Sequence, residues 1–261
     1  MKVVYNILVL IFVIGFVAKS DTLDNVNKNK FKSLIFISFG LPFSSGSTEL
    51  FSVYNNEFSG RLRDYKIAPM IGVGTKVRYH NYRYGVQAHF LTAILQDQYG
   101  ETVQTTDISG YREYAQTINV KDIPVIGTIE YMPYFSQFRT YIGGGIGFLL
   151  RNVEWLEAIR SGIPRDRRTG GELYNSTDMY PFIKIYTGVE LGFDKMSEDS
   201  FLGSLVIEGS YNYSIGNSDY FKSVKRQFQP SEPRLNDKYN MLPGYLIISM
   251  AVTFNFNNSD K

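Results

Sequence analysis

Residues 244 to 256 obey a period of two almost without exception. Leu246, Ile248, Met250, Val252, Phe254 and Phe256 fall on one parity. Ser249, Ala251, Thr253 and Asn255 fall on the other, with Tyr245 and Ile247 nearer the start. Successive side chains of a strand point to opposite faces, so this segment fits a strand with oil on one side only. From Tyr65 onward the chain repeats the pattern, with apolar residues on one parity and polar residues or glycine on the other. A chain built this way folds as a sheet whose two faces meet different media.

Seven further strands follow from the same reading: 31–41, 65–80, 83–95, 117–132, 139–150, 180–193 and 201–214. The connections alternate in length. Short turns join 65–80 to 83–95, 117–132 to 139–150, and 180–193 to 201–214. Residues 42–64, 96–116, 151–179 and 215–243 read as long loops. Such loops without regular structure are uncommon in soluble domains. Eight antiparallel strands with short turns at one end and long loops at the other describe an up-and-down transmembrane β-barrel, with periplasmic turns and extracellular loops. An even strand number leaves both ends of the chain on the turn side.

The competing architecture is a secreted barrel that holds its apolar face inside around an oily ligand. Glycine decides between them. Gly72, Gly74, Gly85, Gly143, Gly145, Gly147, Gly188 and Gly192 all lie on the polar parity. About eight strands leave an interior just wide enough for side chains to fill. Glycines there make room for large charged residues, whereas on a wet exterior they would only weaken the strands. The polar parity is therefore expected inside. Lys76, Arg78, Arg83, His89, Glu130, Arg139, Lys184, Glu190 and Glu208 fall on it. A charge in so narrow a lumen is costly unless paired. Glu130, Glu190 and Glu208 are thus expected to pair with Lys76, Arg78, Arg139 and Lys184, closing the lumen.

Composition supports the same class. The 27 basic and 25 acidic side chains nearly balance, which offers nothing to a nucleic-acid partner. With no cysteine, disulfides and thiolate chemistry are excluded. There are 20 Tyr and 19 Phe, residues suited to strands and to the membrane interface. Tyr79, Tyr82, Tyr84, Tyr131, Tyr134 and Phe135 gather at the short-turn end as an aromatic girdle. Tyr180, Tyr211 and Tyr213 are assigned to the opposite girdle. Residues 1–20 carry Lys2, an apolar run and Ala18-Lys19-Ser20, the pattern of a cleavable export signal. The barrel domain is expected over 21–261.

Two segments carry a family resemblance. Ile123-Pro-Val-Ile-Gly-Thr-Ile-Glu-Tyr131, a short turn, then Phe138-Arg-Thr-Tyr-Ile-Gly-Gly-Gly-Ile-Gly147 resembles the central hairpin of small porin-like outer-membrane barrels. Phe254-Asn-Phe256 is similar to their terminal assembly signal. The resemblance is to the eight-stranded outer-membrane group of the OmpA, OmpW and OmpX type. It implies a cell outer-membrane location, insertion by the barrel-assembly machinery through Phe254 and Phe256, and contact with outer-membrane lipid and lipopolysaccharide. A monomer is expected.

Chemistry finds little to work with. His80 and His89 are the two histidines. Some barrels of this kind are lipid A deacylases, but the residues after His89 lack a serine at their spacing, so His89 reads as a hydrogen-bonded core residue. Two histidines without cysteine form no transition-metal ligand cluster. No metal or other cofactor is expected. Glu154 and Glu157 read as a solvated pair on a short helical turn. Arg160, Arg165, Arg167 and Arg168 concentrate charge in the third loop, where they suit lipopolysaccharide phosphates or simply keep a loop hydrated. The expectation is a non-enzymatic envelope barrel that is structural or presents loops. The alternatives are a narrow solute channel and a lipid A-modifying enzyme.

Overall fold

The structure is a computed structural model that describes residues 32–44, 51, 52, 55, 65–104, 109–133, 138–161, 171–193, 202–216 and 242–255. Nine strand segments account for nearly all of them: β1 (Lys32–Ser44), β2 (Lys66–Ile67), β3 (Met70–Tyr79), β4 (Tyr82–Gln104), β5 (Ser109–Tyr131), β6 (Phe138–Ser161), β7 (Gly171–Gly192), β8 (Leu202–Ser214) and β9 (Gly244–Asn255). β2 and β3 both pair with β4 and form one interrupted barrel strand. The break falls at Ala68-Pro69, where proline lacks the N–H a ladder needs. Every pairing is antiparallel. The circuit closes because β1 pairs with β9 at one end of the order and β4 with β5 at the other. Closure leaves no strand edge around the ring. The export signal, Phe256 and Arg165, Arg167 and Arg168 lie outside the described residues, as do Tyr134 and Phe135 of the expected girdle.

Around the lower part of the barrel the apolar parity points out. Ile146 is 74% exposed, Phe39 59% and Leu246 55%. Such values would be untenable in water for so many large side chains. On β5 the outward run Ile123, Val125, Gly127, Ile129 and Tyr131 takes nine residues, the length a tilted transmembrane strand needs (about 9–11 residues). The turns below it are tight. His80 adopts the left-handed conformation (φ 52°) at the β3–β4 turn, and Met132 N donates to Asn81 O at 2.7 Å, tying that turn to the next one. Tyr79, Tyr82, Tyr84 and Tyr131 project outward at this end, where Tyr82 and Tyr131 are cross-strand neighbours with ring centroids 5.4 Å apart.

The long-loop reading of 96–116 and 151–179 is corrected. β4 and β5 stay paired to Gln104 and Ser109, and β6 and β7 to Glu157 and Gly171. The period of two continues through these segments with its polarity inverted. Leu91, Ala93, Leu95, Ile118, Val120, Val153 and Trp155 now point inward and are fully or almost fully buried. Thr92, Gln96, Gln98, Asn119, Lys121 and Asn152 take the outward parity. Apolar-out below and apolar-in above is what one continuous hairpin adopts when its lower half meets lipid and its upper half meets water. Phe51 and Leu242, from the connections after β1 and β8, drop into the same apolar cluster.

Two smaller corrections follow. Tyr180, assigned to an outer girdle, is buried in that cluster because it shares the inward parity of Phe182 and Lys184. Glu154 and Glu157 lie on strand β6 and not on a helical turn. Glu157 is buried and accepts a hydrogen bond from Gln116, and Glu154 accepts one from Asn119 at 3.0 Å.

Candidate functional site in the barrel lumen

Strand register delivers the lumen charges in pairs. Arg83 on β4 is the cross-strand partner of Glu130 on β5, and Arg139 on β6 that of Glu190 on β7. Arg83 Nε donates to Glu130 Oε2 at 2.5 Å, while its Nη1 crosses the lumen to Glu190. Lys76 Nζ sits 2.5 Å from Glu130 Oε1, and Arg139 Nη1 lies 3.3 Å from Glu190 Oε1. Lys184 Nζ donates to Glu208 Oε1 at 2.7 Å. Two phenols complete the arrangement. Tyr186 donates to Glu130 Oε1 at 3.0 Å, and Tyr141 to Glu208 Oε2 at 2.9 Å. All seven charged groups are buried, where charge-assisted hydrogen bonds count for more than on a surface.

The aromatic rings serve the cations too. Lys184 Nζ is 4.6 Å from the Tyr186 ring centroid, Lys76 Nζ is 4.8 Å from that of Phe36, and Arg83 Cζ is 4.8 Å from that of Tyr141. Their rings fit because glycine lies beneath them. A Cβ at Gly143 would stand 2.6 Å from Tyr186 Cζ, and one at Gly188 2.6 Å from Tyr141 Cζ. The inward glycines therefore make room for tyrosines as well as for charges.

The hub is Arg83, which the expected pairings of the three glutamates left out. Arg78 is only partly buried at the base of the barrel, its Nε 3.4 Å from the His80 carbonyl. The expectation that His89 is hydrogen-bonded is also overturned. Its ring is buried, and neither nitrogen has a hydrogen-bond partner in the protein. Arg160 belongs to β6, ten residues above Leu150 in sequence.

A second ion pair escaped the sequence reading because Arg151 was taken as the first residue of a loop, which left Asp122 on the strand 117–132 without an expected partner. Arg151 and Asp122 are cross-strand partners on β6 and β5. They form two parallel hydrogen bonds, Nε to Oδ1 at 2.8 Å and Nη2 to Oδ2 at 2.7 Å. Arg151 Nη2 also donates to the Leu242 carbonyl at 2.9 Å, anchoring the chain before β9. Both side chains are wholly buried. Counting by twos from Pro124 and from Leu149 would have placed them inward.

The lumen carries ion pairs and the exterior carries a lipid-width apolar belt on a ring without edges. Only helices and closed barrels satisfy their backbone within a bilayer. The architecture is that of a small outer-membrane β-barrel.

No protein-family model matches the chain, and no curated protein matches it. Among solved structures, it is similar to Neisserial surface protein A (TM-score 0.37, 11% identity), covering 87% of this chain and 97% of that one. It is similar to Ail, the attachment invasion locus protein of Yersinia pestis, solved with a heparin analogue (TM-score 0.29, 11% identity, 87% and 97% covered). The translocator domain of the autotransporter NalP from Neisseria meningitidis also matches (TM-score 0.31, 10% identity, 89% and 91% covered). At these scores none bears on fold or function, and this chain's own strand pairing carries the architecture.

Proposed function

We propose that this protein is a non-enzymatic, monomeric outer-membrane barrel whose lumen is plugged by its ion-pair network and whose upper hairpins hold loops clear of the membrane. The observation that supports this most is the polarity inversion along β4 to β7. A chain serving only as a membrane-spanning ring would end its strands at the belt. Here the β6 strand continues 11 residues past Leu150, a rise of roughly 25 Å allowing for tilt. Its interior is filled with Trp155, Leu95, Val153 and their neighbours, which favours a rigid pedestal over an open vestibule. Among the described residues, the lumen holds two cavities of about 20 Å³ each around the network. That is room for about one water each and too little for solute passage. Arg83 lines both, so the hub of the network stands between them.

Arg160, Arg165, Arg167 and Arg168, which follow one another in sequence from the end of β6, have the chemistry to meet phosphate-bearing lipopolysaccharide. Phe254 and Phe256 suit recognition by the barrel-assembly machinery. Planar-bilayer recording tests the plug: the protein should show no sustained unitary current in molar salt. Steady openings would replace this reading with a solute channel. Lipid A mass profiles from cells with and without the protein should be identical, and a changed acyl pattern would make it an enzyme.

A further inference from the structure

Between the Arg83 hub and the apolar upper cluster, one level of the lumen holds polar atoms that the protein leaves unanswered. Ser38, Gly72 and His89 stand side by side on β1, β3 and β4. Ser38 Oγ and both His89 nitrogens have no partner, nor do Gln87 Nε2 on the next inward position and Arg83 Nη2 below it. Each of these side chains is more than nine-tenths buried. Buried polar groups rarely go unmatched without an occupant such as water or an ion.

Most of the orphans can donate. Guanidinium and amide nitrogens only donate, a serine hydroxyl can donate, and a neutral imidazole offers one N–H beside one acceptor nitrogen. Two cations, Lys76 and Arg83, line the same space. One carboxylate, Glu208, lines the space itself, and its two oxygens accept from Lys184 and Tyr141. Arg83, Gln87, His89, Ser38 and Lys76 line the cavity of about 20 Å³. That volume suits a body near the size of a water molecule, which rules out phosphate or a carboxylic acid. Gly72 keeps the level open, because a Cβ there would stand 2.5 Å from Ser38 Oγ and closer still to His89 Nδ1.

We propose that this cavity is a halide site, holding one chloride between Arg83 Nη2, Gln87 Nε2 and Ser38 Oγ. The proposal stands whether or not the upper hairpins present loops to a partner. It would make chloride a structural component of the plug, so that lumen integrity depends on the anion of the medium.

The test is diffraction at the bromine absorption edge from crystals of the detergent-refolded protein grown in sodium bromide. An anomalous peak within about 3.5 Å of Arg83 Nη2 and Gln87 Nε2 is expected. Water alone at that position, with no anomalous signal, overturns the proposal. Chloride NMR line-broadening on the same protein gives an affinity, which Gln87→Met should weaken at least tenfold. Ser38→Ala provides a milder second variant, and each must keep its heat-modifiable gel shift to be counted. A folded Gln87→Met protein that binds halide as tightly as the parent also overturns it.

Discussion

The Asp122–Arg151 pair permits a sharp test of how the interior is held together. Replacing Arg151 by Met keeps most of the side-chain volume but removes both hydrogen bonds to Asp122 and the one to the Leu242 carbonyl. Asp122 would remain fully buried with its charge unmatched. Breaking a buried pair from one side costs about 3–5 kcal/mol, most of it the stranded partner. The double replacement Asp122→Leu with Arg151→Met removes both charges together and should return to within about 2 kcal/mol of the parent, because an apolar pair suits the surrounding Ile118, Val120 and Leu149. The assay is built in. Trp155, the single tryptophan, is fully buried in the same cluster, so its emission reports unfolding in urea from lipid vesicles. With a urea slope of about 3 kcal/mol per molar, Arg151→Met should lower the midpoint by about 1 M or more. A single variant within about 1 kcal/mol of the parent, or a double variant as weak as the single one, would refute the reasoning.

Other outcomes follow from the same geometry. Ile146→Arg, in the middle of the belt, should cost about 2–4 kcal/mol in vesicles, whereas Gln98→Arg, outward but above the belt, should change stability by less than about 0.5 kcal/mol; equal effects would mean that lipid does not contact Ile146. Gly143→Val drives a side chain into the Tyr186 ring and should cost about 1–3 kcal/mol, read as a lowered urea midpoint. Unboiled protein should migrate differently from boiled protein on a detergent gel, and Arg83→Met should lower the temperature at which that shift is lost, since Glu130 and Glu190 each lose a partner.

Most of the ring was legible along the chain. Within the belt the outward parity is mostly apolar because a lipid-facing strand tolerates few polar side chains, and inward glycines announced which parity faced the lumen. The charges were legible as well: Glu130, Glu190, Glu208, Lys76 and Lys184 could be assigned inward by counting in twos. What periodicity does not carry is polarity against depth. Residues 92–98 and 151–157 still alternate between in and out, yet Ala93, Leu95, Val153 and Trp155 now take the inward face, and nothing local says where lipid ends and water begins. That boundary set the inverted core, the burial of Tyr180 and Trp155, and the Asp122–Arg151 pair.

Parity is a local property, so the chain alone determined which residues point in. Pairing is not local. Arg83 became the hub because register sets it beside Glu130 and the narrow ring brings Glu190 across the lumen within its reach, while Arg78, on the same parity, was left at the mouth. Closing the barrel fixed these distances, and only the closed barrel could leave Ser38, Gln87 and His89 around one small space with donors to spare.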